Sequence, residues 1–355
     1  MALKRLTTEE MVQVSGPWVT SGTAARKALE KAEELSGVLP RVDAAHAALH
    51  ATQPSPEARR FRQEAAMTTL PTLREPRVPV QACGYGQLHT RRGYAQGPYG
   101  QVHYHEAGPA NGVPLVMLHQ APVSARQFEP VYPRLAARGI RAIGVDMPGF
   151  GMSDPTPFVP GCEDYAKAIP AVLDALGLAR ASILGHHTGA LVATEVALQF
   201  PARIERLILN GPLPLEDAER AAWLEFCRTE EIPYHEKPDG SHMTKLFGIR
   251  YGFATDTVPP GTVTRYIAET LGGLGPFWYG HHAAFRYDHG ASLPKIQHRT
   301  LILTNTGDQI YEHAKLTHRM RPDFAFTALE GGGIDVVDQL PDAWTEAVAA
   351  FLLAK

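Results

Sequence analysis

The segment that organises this chain is Ala181-Ser-Ile-Leu-Gly-His-His-Thr-Gly-Ala-Leu-Val-Ala-Thr-Glu-Val-Ala-Leu-Gln-Phe-Pro201. Its apolar start predicts a short buried strand, and the run after Gly189 predicts an amphipathic helix. Gly185 and Gly189 flank the junction, where residues without a Cβ let the backbone reverse sharply and let the helix pack close to the strand. We therefore expect His187, between the two glycines, to project above the end of the strand.

Apolar segments of strand length lie on both sides of this turn and alternate with helical patterns. Strand-to-helix alternation at this spacing favours a mostly parallel sheet with helices on both faces, the doubly wound α/β class. The helical pattern nearest the turn is predicted over residues 163–176. The predicted strands cover residues 87–95, 101–107, 114–119, 140–145, 204–211 and the run from residue 300.

Three further motifs occur along the chain, two before the turn and one after it. They are Leu118-His-Gln-Ala-Pro122, Asp146-Met-Pro-Gly-Phe-Gly151 and Thr300-Leu-Ile-Leu-Thr-Asn-Thr-Gly-Asp308. With the glycine-flanked turn, they resemble the α/β-hydrolase family from about Gly86 to the C-terminus. The resemblance implies a hydrolase-type core over residues 80–355, with a cap inserted at about residues 212–293.

The resemblance also implies a catalytic triad, and two of its members are replaced here. The turn of the family reads G-x-S-x-G, whereas this chain has His187 at the nucleophile position. Ile334 stands where the family has its late catalytic histidine, while the acid is retained as Asp308. Hydrolysis by a serine and its histidine base therefore does not transfer to this chain.

A histidine at the turn reaches further than serine and can occupy the space of nucleophile and base together. We predict that Asp308 accepts a hydrogen bond from one ring nitrogen of His187 and leaves the other facing a pocket, since a carboxylate fixes the tautomer of a histidine in this way. The backbone amides of Ala121 and Thr188 are expected to form an oxyanion hole, because the turn and the helix start position them without help from side chains.

Five other residues are secondary candidates for this site: His119, His186, Asp335, Trp278 and Tyr279. His119 is expected to support the oxyanion loop rather than to react, and His186 to point away from His187. Asp335 is either a cap of a helix or loop or a second carboxylate near the site. Trp278 and Tyr279 are expected in the core of the cap, where aromatic side chains often also line a pocket.

Three functions stay open at the level of the sequence. The first is cofactor-free acid–base chemistry on a small carbonyl compound, of lyase, cyclase or decarboxylase type. The second is hydrolysis of an ester or a C–C bond with His187 as nucleophile, and the third is ligand binding without catalysis. No dinucleotide or phosphate loop and no histidine or cysteine spacing typical of a metal site is found, so neither a cofactor nor a metal ion is expected.

The charge and the hydropathy of the chain limit the kinds of partner that it can bind. A net charge of −3 over 355 residues, with signs intermixed, argues against nucleic acid, and neither a membrane span nor a signal peptide is indicated. We expect a cytoplasmic enzyme with a small-molecule substrate, and a second copy of the chain is left open as a partner. Residues 1–79 are rich in alanine and charge and predict a helical appendage, with the proline-containing residues 70–79 as linker.

Overall fold

A computed structural model describes residues 90–253 and 258–354. The predicted helical appendage and linker at residues 1–79 lie outside the described residues, so that prediction and the domain boundary stay untested. Among the residues that are described, no helix combines the length and the apolar character needed to cross a membrane.

An eight-stranded sheet forms the centre of the described chain, in the order β1-β2-β4-β3-β5-β6-β7-β8. β2 pairs antiparallel with β1 and β4, and all the other pairings are parallel. This is the mostly parallel sheet that the sequence predicts. The strands are β1 Arg91–Gly97, β2 Gly100–Ala107, β3 Val113–Leu118, β4 Ile140–Val145, β5 Ala181–His186, β6 Ile204–Asn210, β7 Thr300–Asn305 and β8 Ala325–Leu329.

Helices cover both faces of the sheet, because successive side chains of its central strands point to opposite sides and both sides are apolar. In β3, Val116 and Leu118 join one core cluster while Leu115 and Met117 join the other. The helices of the core are α1 Tyr132–Ala136, α2 Cys162–Ala166, α3 Ile169–Ala175, α4 Thr188–Gln199, α10 Tyr311–Met320, α11 Val336–Gln339 and α12 Pro341–Leu353.

The segment between β6 and β7 is helical and corresponds to the expected cap. A π-helical turn, Cys227–Glu231, follows its first helix directly. Its helices are α5 Asp217–Phe226, α6 Ser241–Phe253, α7 Pro260–Gly272, α8 Tyr279–Arg286 and α9 His289–Ser292.

Two predicted elements differ from the structure. The single helix expected over residues 163–176 is divided into α2 and α3, because Pro170 lacks the amide hydrogen that a continuous helix needs and instead occupies the first turn of α3. The first strand extends to Gly97, two residues beyond its predicted end, and turns there into β2, whereas residues 87–89 of the prediction lie outside the described residues.

Candidate active site

The turn between β5 and α4 holds its central residue in a strained conformation. His187 has φ 49° and ψ −112°, and it is the one non-glycine residue with positive φ among the residues described. A Cβ at Gly185 would lie 1.9 Å from the Gly189 carbonyl oxygen, and one at Gly189 would lie 2.2 Å from that of Leu118. Both glycines are therefore required for the close approach of strand, helix and the neighbouring loop, which hold His187 in place.

His187 and Asp308 form a direct hydrogen bond. The Nε2–H of His187 donates to Oδ2 of Asp308 over 2.7 Å, and the second carboxylate oxygen accepts from the amide of Ile310 at 3.1 Å. Burial alone would raise the pKa of Asp308, but the nearby imidazole and this amide outweigh it and hold the pKa below its usual value. The acid is therefore ionised at neutral pH, as an orienting carboxylate must be.

The remaining edge of the His187 ring faces away from this carboxylate. Gly211 packs against the Cδ2–Nε2 edge, the one that also bonds Asp308, since a Cβ there would be 2.5 Å from Cδ2 and 2.9 Å from Nε2 of His187. Because Nε2 carries the hydrogen that is donated in the hydrogen bond to Asp308, Nδ1 is the unprotonated nitrogen of the neutral ring. The His187 side chain is 15% exposed and borders a cavity.

That cavity has a volume of about 390 Å³ and lies between the carboxyl ends of the strands and the cap. A volume of this size suits a small organic molecule. Its walls are mainly apolar, and Ile334 is part of them, so the position of the family's late histidine contributes a hydrocarbon surface instead of a base. The larger apolar side chains are Trp223, Phe226, Phe253, Phe277, Phe285 and Ile310.

Ala121 and Thr188, the two residues predicted to provide oxyanion-hole amides, both border this cavity. His119 precedes that loop and is fully buried. Its Nδ1–H donates to the Gln120 carbonyl at 2.8 Å, and its Nε2 accepts from the Met147 amide at 3.0 Å. With both ring nitrogens engaged, His119 ties the loop to the end of β4, in keeping with its expected supporting role.

The structure corrects the prediction for His186. Its ring does not diverge from that of His187; the ring centroids are 4.4 Å apart. His186 is fully buried, its Nδ1 accepts a short hydrogen bond from the Gln127 amide, and burial keeps its pKa well below the usual value. His186 is therefore a neutral packing partner of His187 that links it, through Gln127, to the oxyanion loop.

Asp335 lies at the start of α11, and its side chain forms a buried ion pair with Arg250 of the cap. Asp335 therefore occupies the N-cap position of α11 without a capping bond from its side chain, and it is a second carboxylate near the site, because its partner Arg250 borders the cavity. Because Asp335 follows Ile334 directly, the ion pair joins the cap to the loop that carries Ile334. Sequence reasoning missed Arg250, because its partner is 85 positions away in the chain.

Trp278 and Tyr279 are not among the side chains that border the cavity. The helical repeat of α8 explains this, because His281, Ala284 and Phe285 occupy its cavity face and the two aromatic residues lie on other faces of the helix. Their rings pack edge to face, 4.6 Å apart. Their role as secondary site candidates is therefore not supported.

A second histidine–carboxylate pair, also missed from the sequence, borders the cavity on the side of the cap. Nδ1–H of His281 donates to Glu231 at 2.7 Å, and the ring also bonds to the Ala121 carbonyl. Burial lowers the pKa of His281, but Glu231 and this carbonyl outweigh burial and the net pKa is raised. His281 therefore holds the cap against the oxyanion loop.

Glu269 of α7 is a further buried contact between cap and loop. Its Oε2 accepts from the amide and the hydroxyl of Ser124 at 2.9 and 2.8 Å, and Arg265 lies 3.5 Å from its other oxygen. Burial dominates these favourable contacts and raises the pKa of Glu269 to about 7. A carboxyl with a raised pKa stabilises the folded state only while it is protonated.

We expect Glu269→Gln to remove a pH-dependent loss of stability. In the unfolded chain the carboxyl ionises near pH 4.5, and in the folded chain near pH 7. Between these values the folded state holds the proton more tightly, so its contribution to the free energy of unfolding falls by up to about 3 kcal/mol as the pH rises. Glutamine cannot ionise but can still accept from Ser124.

Urea unfolding at pH 5, 6, 7 and 8 measures this effect. The free energy of unfolding of the native protein minus that of Glu269→Gln should decrease from pH 5 to pH 7 and level off towards pH 8, whereas Glu330→Gln, at an exposed position, controls for loss of a carboxylate. A difference that is constant with pH would contradict the assignment.

One group of described residues has the composition of a metal site. Ligand atoms of His103, His105 and Asp146 all lie within 4.8 Å of one another in the buried region around β2. Asp146, however, already accepts from His103 at 2.8 Å and from the amides of Ala125 and Met152 at 2.8 and 3.0 Å. The group therefore serves to fix the turn after β4. In the sequence, the two histidines of β2 that are separated by one residue, His103 and His105, are the pattern from which this group could have been found.

Comparisons with known proteins agree with this architecture. A sequence model described as the alpha/beta hydrolase fold matches residues 113–241. A haloalkane dehalogenase of Mycobacterium marinum is 35% identical over 124 residues, 33% of this chain and 40% of its own length. The match thus spans less than half of that relative. A hydrolase from Pseudomonas aeruginosa PA01 has a similar fold, with a TM-score of 0.64 and 24% identity over 74% of this chain and 99% of its own.

A second sequence relative, a non-heme chloroperoxidase of Streptomyces lividans, matches a larger part of this chain than the dehalogenase does. It is 30% identical over 233 residues, which cover 60% of this chain and 80% of the chloroperoxidase. The relatives named here are enzymes. The extent of this match, with the parallel sheet and the strained turn at His187, shows that the chain belongs to the α/β-hydrolase fold family.

Proposed function

We propose that this protein is an enzyme that removes a proton from the carbon beside the carbonyl group of a small, largely apolar compound, without a cofactor. The observation that carries the proposal is the 2.7 Å hydrogen bond between His187 and Asp308 at the edge of an apolar cavity. Asp308 accepts the Nε2–H hydrogen bond of His187, so the proton stays on Nε2 and Nδ1 is the free base. A base held by an ionised carboxylate beside two backbone amides has the parts that enolisation requires.

The proposed step moves one proton and shifts two electron pairs, that of the C–H bond and that of the carbonyl π bond. Nδ1 of His187 takes the α-proton, the C–H electrons move into the C–C bond, and the carbonyl oxygen becomes an enolate oxygen. The amides of Ala121 and Thr188 donate to that oxygen, and Asp308 stabilises the imidazolium. Return of the proton to the same or another atom, or loss of a neighbouring group, completes an isomerase-type or lyase-type reaction.

Hydrolysis through His187 is the second candidate. It is favoured by the strained φ of His187, since a nucleophile held at this turn needs such a conformation, and by the similar fold of the Pseudomonas hydrolase. Nδ1 would attack an ester carbonyl and the alcohol would leave with a proton, giving an acyl-imidazole. Water would then cleave the N–acyl bond and release the acid.

Two assays separate these candidates. In D₂O, the native protein should exchange the α-protons of 2-tetralone or phenylacetone for deuterium at least about 100-fold faster than buffer, a typical gain from a positioned base. His187→Ala should fall to the buffer rate, and His235→Ala, a histidine at an exposed position, should behave as native. Proton NMR follows the loss of the α-proton signals.

The second assay mixes the protein with p-nitrophenyl acetate and butyrate and follows phenolate release and the mass of the protein. A burst with an acyl adduct on His187, together with no α-proton exchange, would replace the proposed reaction with hydrolysis. Absence of both activities across the ketones and esters, with ligands still binding, would contradict both and leave a binding protein.

A further inference from the structure

His281 of α8 borders the cavity, and its hydrogen bonds require a hydrogen on both ring nitrogens. Nδ1–H donates to Glu231 at 2.7 Å, and the ring also bonds to the Ala121 carbonyl. Because Nδ1 has a single hydrogen and a carbonyl oxygen can only accept, the bond to Ala121 needs a hydrogen on Nε2. A ring that donates from both nitrogens is an imidazolium cation. The side chain is 27% exposed, so it is accessible to a molecule in the cavity.

Helix α8 lies directly against the oxyanion loop, which fixes the place of His281. A Cβ at Gly280 would be 2.5 Å from Cβ of Ala121, so the glycine is needed for this close contact. The ring of His281 stacks on that of Phe285, with centroids 5.6 Å apart and an angle of 18° between the planes. This stacking and the bond to Glu231 hold the imidazolium in one orientation, as a reacting group requires.

The contact with Ala121 places His281 beside the position expected for a substrate carbonyl. The amide of Ala121 is the predicted donor to that oxygen, and the carbonyl that His281 contacts belongs to the same residue. In a β-hydroxy ketone, the hydroxyl and carbonyl oxygens can lie on the same side of the carbon chain. Such a hydroxyl can accept from Nε2–H of His281 and donate its own hydrogen to the Ala121 carbonyl, so that every donor and acceptor stays paired.

We propose that His281 is the general acid for the dehydration of a β-hydroxy ketone. Nδ1 of His187 takes the α-proton to give the enolate, whose electrons then form the C=C bond as the bond to the hydroxyl breaks. Nε2 of His281 gives its proton to the leaving hydroxyl, so the products are an α,β-unsaturated ketone and water. His187 ends as imidazolium and His281 as neutral imidazole, and proton exchange with solvent restores both. The assignment rests on the proposed function for the base and names its substrate class.

Other polar side chains that border the cavity fit the role of acid less well. Arg250 does not release a proton in a protein, and the hydroxyl of Tyr266 donates to Asp338. His313 lies 3.2 Å from Glu219, but its Nδ1 has no partner among the residues described, so no contact requires a second hydrogen on that ring. His281 is therefore the cavity residue whose contacts supply a proton that can be given up.

Three ketones that differ in the leaving group test the role of His281. 4-Hydroxy-4-phenylbutan-2-one must lose hydroxide, a poor leaving group, whereas 4-(4-nitrophenoxy)butan-2-one loses nitrophenoxide, which leaves without an acid. 4-Phenylbutan-2-one has no leaving group and reports α-proton exchange alone. In His281→Gln, dehydration should fall at least about 100-fold, while nitrophenolate release and exchange stay within about threefold of native. Absorbance follows the two eliminations, and proton NMR in D₂O follows the exchange.

Two further variants are the controls. His282→Gln changes the next histidine of the same helix, which is not among the described side chains that border the cavity, and should behave as native with all three ketones. His187→Ala should lose all three activities. A parallel loss of all three in His281→Gln would show that the residue only supports the loop and would overturn the proposal, as would undiminished dehydration in that variant.

The pH dependence gives a second readout that a supporting role would not produce. Burial lowers the pKa of His281, Glu231 and the Ala121 carbonyl raise it by more, and the charge of Arg250 lowers it by less, so the net pKa is raised. Glu231 is shared with the thiol of Cys227. The acid is present below this pKa, so dehydration should decline as the pH rises through it, whereas nitrophenolate release should not. Glu231→Gln should move the decline to lower pH, and a decline common to both substrates would contradict the assignment.

Nitrogen-15 NMR of histidine-labelled His187→Ala protein tests the charge of His281 without any reaction. Both ring nitrogens should be protonated at pH 7, where an ordinary histidine is largely neutral, with His281→Gln used to assign the signals. A neutral His281 would overturn the acid role even if His187 exchanges α-protons. Exchange without dehydration in the native protein would overturn the acid role alone, whereas absence of exchange and of both eliminations would refute the proposed reaction and the acid role together.

Discussion

Asp308→Asn is expected to lower kcat for α-proton exchange by about 10³ to 10⁴, the loss seen when the orienting acid of a histidine is made an amide. Asparagine keeps the shape of the side chain but can present an N–H to Nε2 of His187, which drives the ring to the other tautomer. Nδ1 then carries the proton and cannot act as base. The imidazolium formed in the reaction also loses its carboxylate at 2.7 Å.

The melting temperature and the binding of 2-tetralone distinguish a catalytic loss from an unfolded protein. Asp308 also accepts from the Ile310 amide, a bond that asparagine preserves through its carbonyl, so both properties should stay near those of the native protein. Asp323→Asn removes an exposed carboxylate and serves as control. A folded Asp308→Asn protein within tenfold of native kcat would show that the carboxylate does not orient the base.

His187→Ser is expected to abolish α-proton exchange without producing an esterase. Serine restores the G-x-S-x-G pattern of the turn, but the position of the family's late histidine, which would supply its base, is occupied by Ile334 on the cavity wall. Asp308 would lose the imidazole of His187, which both donates a hydrogen bond to its carboxylate and lowers its pKa. The single variant should therefore resemble His187→Ala in every assay.

The double variant His187→Ser, Ile334→His supplies nucleophile and base together. We expect weak hydrolysis of p-nitrophenyl acetate above the buffer rate, with Ile334→His alone as the matched control. Esterase activity in the single His187→Ser variant would contradict the account. It would show that serine can be activated although Ile334 occupies the position of the family's base.

The parts of this molecule that depend on local sequence were predictable. Gly185 and Gly189 marked the turn, and the order of the motifs placed Asp308 at the end of β7, where parallel strands bring their carboxyl ends together. The contact between His187 and Asp308 followed from these two positions. The bounds of β4 and β6 were also predicted to within one residue, because buried strands are short apolar runs.

The parts that depend on distant contacts were not predictable. Arg250 and Asp335 are polar residues far apart in the chain, and their pairing exists only because the cap folds over the core. His186 was expected to diverge from His187, but the strained φ of the turn brings the two rings together.

Nitrogen-15 NMR of histidine-labelled protein at pH 8 tests the central claim most directly, with His187→Gln used to assign the signal of His187. The account predicts an unprotonated Nδ1 and a protonated Nε2 for His187 in the native protein, and a shift of the Nδ1 resonance when a carbonyl ligand enters the cavity. In Asp308→Asn the proton should move to Nδ1. A native His187 protonated on Nδ1, with Nε2 bare and with no change in Asp308→Asn, would contradict the account.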